Sequence, residues 1–196
     1  MKLFHRRKTE FRPDREGTGQ LNKLWPTPLQ QLRLVQWLLY TAVCLVGLLA
    51  QDVVLYRLDL AGGCTDLVPC LILMVTVMQG AESGSVFALV LSVLYFFSGS
   101  SAGFYVIPLL TAVAVFAAIF RQAFLRRGLG AIVLCAAMGM ALYELGLFAI
   151  NLFLKLTVWD RVGAALLTAL LSLVAVPVFY PVLLAIGKLG GQTWKE

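Results

Sequence analysis

A chain of 196 residues that is 60% hydrophobic and only 13% charged, with a mean hydropathy of +0.87, cannot clothe itself in polar surface. A water-soluble domain carries about a quarter charged residues, so the composition excludes one and predicts an integral membrane protein. The net charge of +6 reads as a topology signal and not as a nucleic-acid footprint, because of where the charges fall.

Residues 1–33 hold eight of the 16 basic residues: Lys2, Arg6, Arg7, Lys8, Arg12, Arg15, Lys23 and Arg33. This arm is too basic, and too poor in periodic apolar residues, to make a domain. It reads as a cytoplasmic flank attracted to anionic lipid, at about 1 kcal/mol per charge near the surface. Docking of a cytoplasmic partner is the alternative. No small-x-small cleavage site follows Leu49, which argues against a removable signal peptide.

Six apolar segments follow in a bundle spanning 34–190: 34–50, 67–78, 86–97, 104–120, 129–154 and 162–186. The second and third have twelve clean apolar residues each, short of the ~20 that cross a hydrocarbon core of about 30 Å. They are expected to be short and internal, either as tilted spans or as a re-entrant hairpin around the polar turn 79–84. Pro108, Pro177 and Pro181 each remove a helical donor, and the last two are expected to kink or loosen the final helix. Residues 191–196 are a tail. Cytoplasmic segments retain Lys and Arg during insertion. The arm, the cluster Arg121, Arg126 and Arg127, and the terminal Lys188 and Lys195 therefore mark one side, with only Arg57, Lys155 and Arg161 elsewhere. An even number of crossings puts both termini in the cytoplasm.

Candidate chemistry is sparse. Gly99-Ser-Ser101-Ala-Gly103 matches the G-x-S-x-G pattern of a nucleophile elbow, but that elbow needs a strand before it. The single His5 lies on the opposite side, so the segment reads as a tight turn and no catalytic residue is assigned. Cys44 and Cys135 fall inside helices as packing residues. Cys64 and Cys70 lack the close Cys/His pairs of a zinc site, and an external disulfide between them is the minor alternative. No metal or cofactor is expected. Glu144 lies near the middle of segment five, where a charge costs at least ~3 kcal/mol on insertion scales, so it should face the bundle interior. Asn151 is seven residues on, two turns along the same face. The pair reads as a polar clamp between helices, with a ligand or proton site as the alternative. Ala114/Ala118 and Ala137/Ala141 supply small residues at spacing four, and Trp25, Trp37, Trp159 and Trp194 are expected as anchors at helix ends.

The order of features resembles the MreD family, small integral membrane proteins of the bacterial rod-shape system. The features are Thr65-Asp66-Leu-Val-Pro69 opening helix two, the glycines Gly80 and Gly84 in the inner turn, and Ser98-Gly99 closing helix three. Gly103-Phe-Tyr105 then opens helix four, Arg121 to Arg127 closes it, and Pro177-Val-Phe-Tyr-Pro181 lies late in the last helix. The likeness covers about residues 34–190. One departure is that Tyr95 and Phe96 stand where the family often has an acidic residue.

The resemblance implies an all-α six-helix bundle like the substrate-binding subunits of energy-coupling-factor vitamin transporters, in the inner membrane. It implies a non-enzymatic scaffold that binds a single-span MreC-like partner. Through that partner it would serve an MreB-like filament and the RodA/transpeptidase pair in lateral peptidoglycan synthesis. Asp66 is expected to cap helix two, and Gly80, Gly84 and Gly103 to be points of close backbone approach. The runner-up is that the chain is itself such a transporter subunit. Against it, helix one has no Ala-x-x-x-Ala pair: Val46 follows Ala42 at that spacing. Self-association as a homodimer is left open, and no nucleic-acid partner is expected.

The charge count predicts that a cysteine introduced at Arg126 reacts with a membrane-impermeant maleimide only after the cells are permeabilised. Labelling in intact cells would invert the topology.

Overall fold

The computed structural model describes residues 28–53, 65–125 and 128–189, and every regular element among them is helical. The order is α1 (Pro28–Val53), α2 (Leu67–Gln79), α3 (Ala81–Phe97), α4 (Val106–Phe124), α5 (Leu129–Phe153), a 3-10 turn (Trp159–Arg161), α6 (Val162–Leu173) and α7 (Ala175–Leu189). Helices α6 and α7 form one interrupted rod, so the described residues make six helical segments. Four are long and apolar enough to cross a membrane: Gln30–Val53, Val106–Phe124, Leu129–Phe153 and Trp159–Leu189. The chain is a multi-pass membrane protein by that measure.

The bundle is organised around α2. Its sequence, LVPCLILMVTVMQ, is apolar on every side, the pattern of a helix with no solvated face. Residues Leu67 through Met78 are all buried, and α2 touches each of the other six helices. Close approach on three sides depends on missing side chains. A Cβ on Gly47 of α1 would lie 2.5 Å from Leu71 Cδ1, one on Gly84 of α3 2.9 Å from the Thr76 backbone, and one on Gly139 of α5 3.1 Å from Leu73. Without a hydrophobic drive between helices in lipid, such contacts supply the packing energy.

The connection between α2 and α3 is tighter than the expected polar turn 79–84. Gly80 alone makes it, at φ 97°, and α3 begins at Ala81, so Glu82 and Ser83 are helical. A side chain there would strain the backbone and meet Gln122 Nε2 at 2.6 Å. That neighbour is close to the end of α4, so the hairpin turn reaches the Arg121 end of the bundle.

The expectation that both short helices are internal is half corrected. Helix α3 buries Gly84, Phe87, Ala88, Leu91, Ser92 and Tyr95 but exposes Val86, Leu89, Val90 and Phe97. Other boundaries shift for local reasons. Helix α1 starts at Pro28, six residues before the apolar run, because the first turn needs no N–H from proline. Pro108 likewise sits in the first turn of α4 and causes no break. The interruption in the last rod falls at Val174, whose N–H bonds back to Leu171 (3.1 Å). Pro177 has no N–H for the Leu173 carbonyl, so the break sits where proline removes a bond, while Pro181 lies within α7.

Helix α2 is also shorter than its neighbours, about 20 Å at 1.5 Å per residue. Its first residues meet Ser172, ten residues beyond Val162 in α6, and Glu144, nine before the end of α5. That places the start of α2 about 14 Å below the ends of the taller helices.

Gly84→Val is expected to destabilise the fold by about 1–3 kcal/mol, since α2 and α3 must separate. Gly163→Ala, exposed and with open space around it, is expected to be neutral or to stabilise by up to about 1 kcal/mol. Thermal unfolding of both variants in mild detergent checks the contrast.

Candidate functional site, a polar recess above the buried helix

The sunken start of α2 exposes backbone groups that lipid cannot satisfy, and other helices supply the partners. The Val68 N–H donates to Gln51 Oε1 of α1 (3.0 Å), and the Asp66 N–H donates to Ser172 Oγ of α6 (2.9 Å). Ser172 in turn donates to the Thr168 carbonyl (2.8 Å). Pro69 has no N–H to satisfy. Asp66 occupies the N-cap position but makes no side-chain cap, which corrects the expected role: Gln51 and Ser172 do the capping.

The Asp66 carboxyl is thereby free to turn elsewhere, and it meets the Glu144 carboxyl. Glu144 is 6% exposed, as a charge at mid-helix requires. The buried Tyr143 and Tyr95 hydroxyls share this cluster, and Gln51 reaches Tyr95. Two atoms here, Glu144 Oε1 and the Tyr143 hydroxyl oxygen, are buried without a hydrogen-bond partner.

Above the cluster lies a recess of about 510 Å³ lined by Gln51, Asp52, Thr65, Asp66 and Ser98 to Ser100. Its rim is fastened by Ser100, whose hydroxyl donates to Asp52 Oδ1 (2.6 Å), with Ser98 donating to Ser100 (3.1 Å). The G-x-S-x-G segment therefore forms bends between α3 and α4 that close this rim.

Other expected residues fall elsewhere. Asn151 does not join Glu144: it accepts from the Tyr105 hydroxyl (2.6 Å), near the ends of α5 and α4. The expected clamp is thus two separate contacts, Glu144 with Asp66 and Asn151 with Tyr105. Gly103 packs against the Tyr105 ring in the same connection. Gly80 and Gly84 belong to the opposite end, and Pro177 and Pro181 to α7. Trp37 is not an end anchor; it lies well inside α1, against Phe87 at 5.4 Å between ring centroids. Trp159 does sit exposed at a helix end, beside Phe148. Cys44, Cys70 and Cys135 are buried free thiols, and Cys70 lies within α2. Residues 1–27 of the basic arm, with Trp25, and Arg57, Cys64, Arg126, Arg127, Trp194 and Lys195 lie outside the described residues.

Gln51 and Ser172 were passed over in the sequence, and Tyr95 was noted only for the acidic residue it replaces. A signal was present, because each carries a polar group within or at the end of an apolar helical stretch.

Set against models of known protein families, curated proteins and solved structures, the chain matches none of them.

Gln51→Leu is expected to cost about 1–2 kcal/mol, because it strands the Val68 N–H inside the bundle. Tyr105→Phe is expected to cost only about 1 kcal/mol, through loss of the Asn151 bond. Denaturation midpoints in detergent report both.

Proposed function

We propose that the chain is a non-enzymatic scaffold of a bacterial inner membrane, as its resemblance to the MreD family implies. In that reading it holds a single-span MreC-like partner against its helices. It thereby connects an MreB-like filament on the cytoplasmic side to RodA-type wall synthesis outside. Both termini face the cytoplasm by the charge count.

The observation that carries the reading is an apolar groove of about 430 Å³ between α1 and α3, lined by Trp37, Ser83, Val86, Phe87 and Val90. It opens on the exposed face of α3, and ridges of a single membrane helix fit into a groove of this kind. The solid packing of α2 beneath it gives the rigid support that a docking surface needs. The proposed partner helix leaves the polar recess untouched.

A second reading, the substrate-binding subunit of an energy-coupling-factor vitamin transporter, is favoured by that polar recess of about 510 Å³. The recess counts against the scaffold, and the burial of Glu144 within the bundle counts for it.

Photo-crosslinking in native membranes separates the two. A photoreactive residue at Val90 is expected to capture a single-span wall-synthesis protein, and one at Ile119 on the exposed side of α4 to capture none. Capture or co-purification of a coupling protein with ATPases would replace the first reading by the second.

A further inference from the structure

The polar recess has features that neither helix packing nor the scaffold reading requires. Among the described residues lining it there are two carboxyl groups, Asp52 and Asp66, and no lysine, arginine or histidine. Directly behind Asp66 stands a third, Glu144, buried at mid-helix and in contact with it. Two carboxyl groups side by side, one of them buried, need positive charge near them, supplied by a proton or a cation.

A second observation is independent of the acids. The Tyr143 side chain is fully buried and carries its hydroxyl into the field of Asp66, Glu144 and Tyr95, yet it has no hydrogen-bond partner. Glu144 Oε1 is unpartnered as well. Buried polar atoms are almost always satisfied, so two orphans in one cluster mark the place of a missing partner. The size of the recess selects among cations. About 510 Å³ is far more than a bare metal ion occupies and falls in the range of small-molecule pockets. No group of three metal-ligating side chains is assembled among the described residues.

We propose that this recess binds a small organic cation, with its ammonium group against Asp66, backed by Glu144, and its remaining polar atoms among Gln51, Thr65 and Ser100. Acidic walls in a low-dielectric cleft focus the field and draw such a ligand in. The ammonium donates to the Asp66 carboxyl, which lines the recess, while Glu144 and the Tyr143 hydroxyl stand behind it and add their field. The inference goes beyond the scaffold reading and does not rest on it.

The test uses the full chain in a non-ionic detergent, with thermal unfolding followed by tryptophan fluorescence at constant ionic strength. Methylammonium and ethanolammonium chloride are the probes; sodium chloride and ethylene glycol are the controls. Binding to the folded state raises the midpoint as ligand concentration rises. The ammonium salts are expected to raise it saturably, and the controls are not. Asp66→Asn and Glu144→Gln, each nearly isosteric, are expected to weaken the apparent affinity at least about tenfold. Tyr143→Phe keeps both acids and is expected to weaken it by a smaller factor, so the test survives if a carboxyl variant fails to fold. The proposal is overturned by any of three results. These are no shift with either ammonium salt, an equal shift with sodium chloride or ethylene glycol, or an affinity unchanged in the variants that fold.

Discussion

Lipid offers a polypeptide no hydrogen bonds, and one consequence of that fact shapes this protein. A helix too short to reach both interfaces would leave the backbone groups at its end unpaired in hydrocarbon. Helix α2 is such a helix, at 13 residues, and the solution is enclosure. It lies inside a ring of the other helices, its start capped by Gln51 and Ser172 from α1 and α6. The glycines at 47, 84 and 139 let the ring close on it.

The polar recess follows from the same constraint. Because α2 stops short while α5 and α6 run on, a space remains above its first residues. The capping groups that make the short end tolerable are polar, so this space is polar too. Asp66, relieved of capping, turns to Glu144, and the two acids sit where a scaffold built only for packing would place leucine. The other side of the molecule has a different character. Helix α3 presents valine, leucine and phenylalanine outward, beside the exposed face of α1. One chain thus carries an apolar lateral groove suited to a helix and a polar recess suited to a small molecule.

Much of the architecture was legible in the residues. Long apolar runs marked the four spanning rods, and the twelve-residue runs around Gly80 marked the short pair. The shortness of the second run pointed to enclosure, since lipid cannot satisfy the backbone at the end of a helix that does not reach both interfaces. The paired prolines announced the break that falls at Val174. Glu144 was identifiable as an interior residue from the cost of placing a charge at mid-helix.

The failures share a physical cause: each depended on a neighbour remote in sequence. An aspartate before a helix is a good cap in isolation, and only the position of Gln51 across the α1–α2 contact displaces it. Asn151 lies on Glu144's side of α5 by spacing, but Tyr105 from α4 reaches it first. Trp37 resembles an interface anchor until Phe87 of α3 packs against it, and α3 looks as buried as α2 until the ring of helices leaves one of its faces outside.

Enclosure of α2 is the claim on which the rest stands, and native Cys70 reports it directly. In a chain where Cys70 is the sole cysteine, membranes are treated separately with a lipid-soluble and a water-soluble maleimide. Val90→Cys in a cysteine-free chain serves as the comparison. Cys70 is expected to resist both reagents until the protein is denatured, while the cysteine at 90 reacts with the lipid-soluble one. Modification of Cys70 in the native membrane as fast as the cysteine at 90 would show that α2 faces lipid and contradict the account.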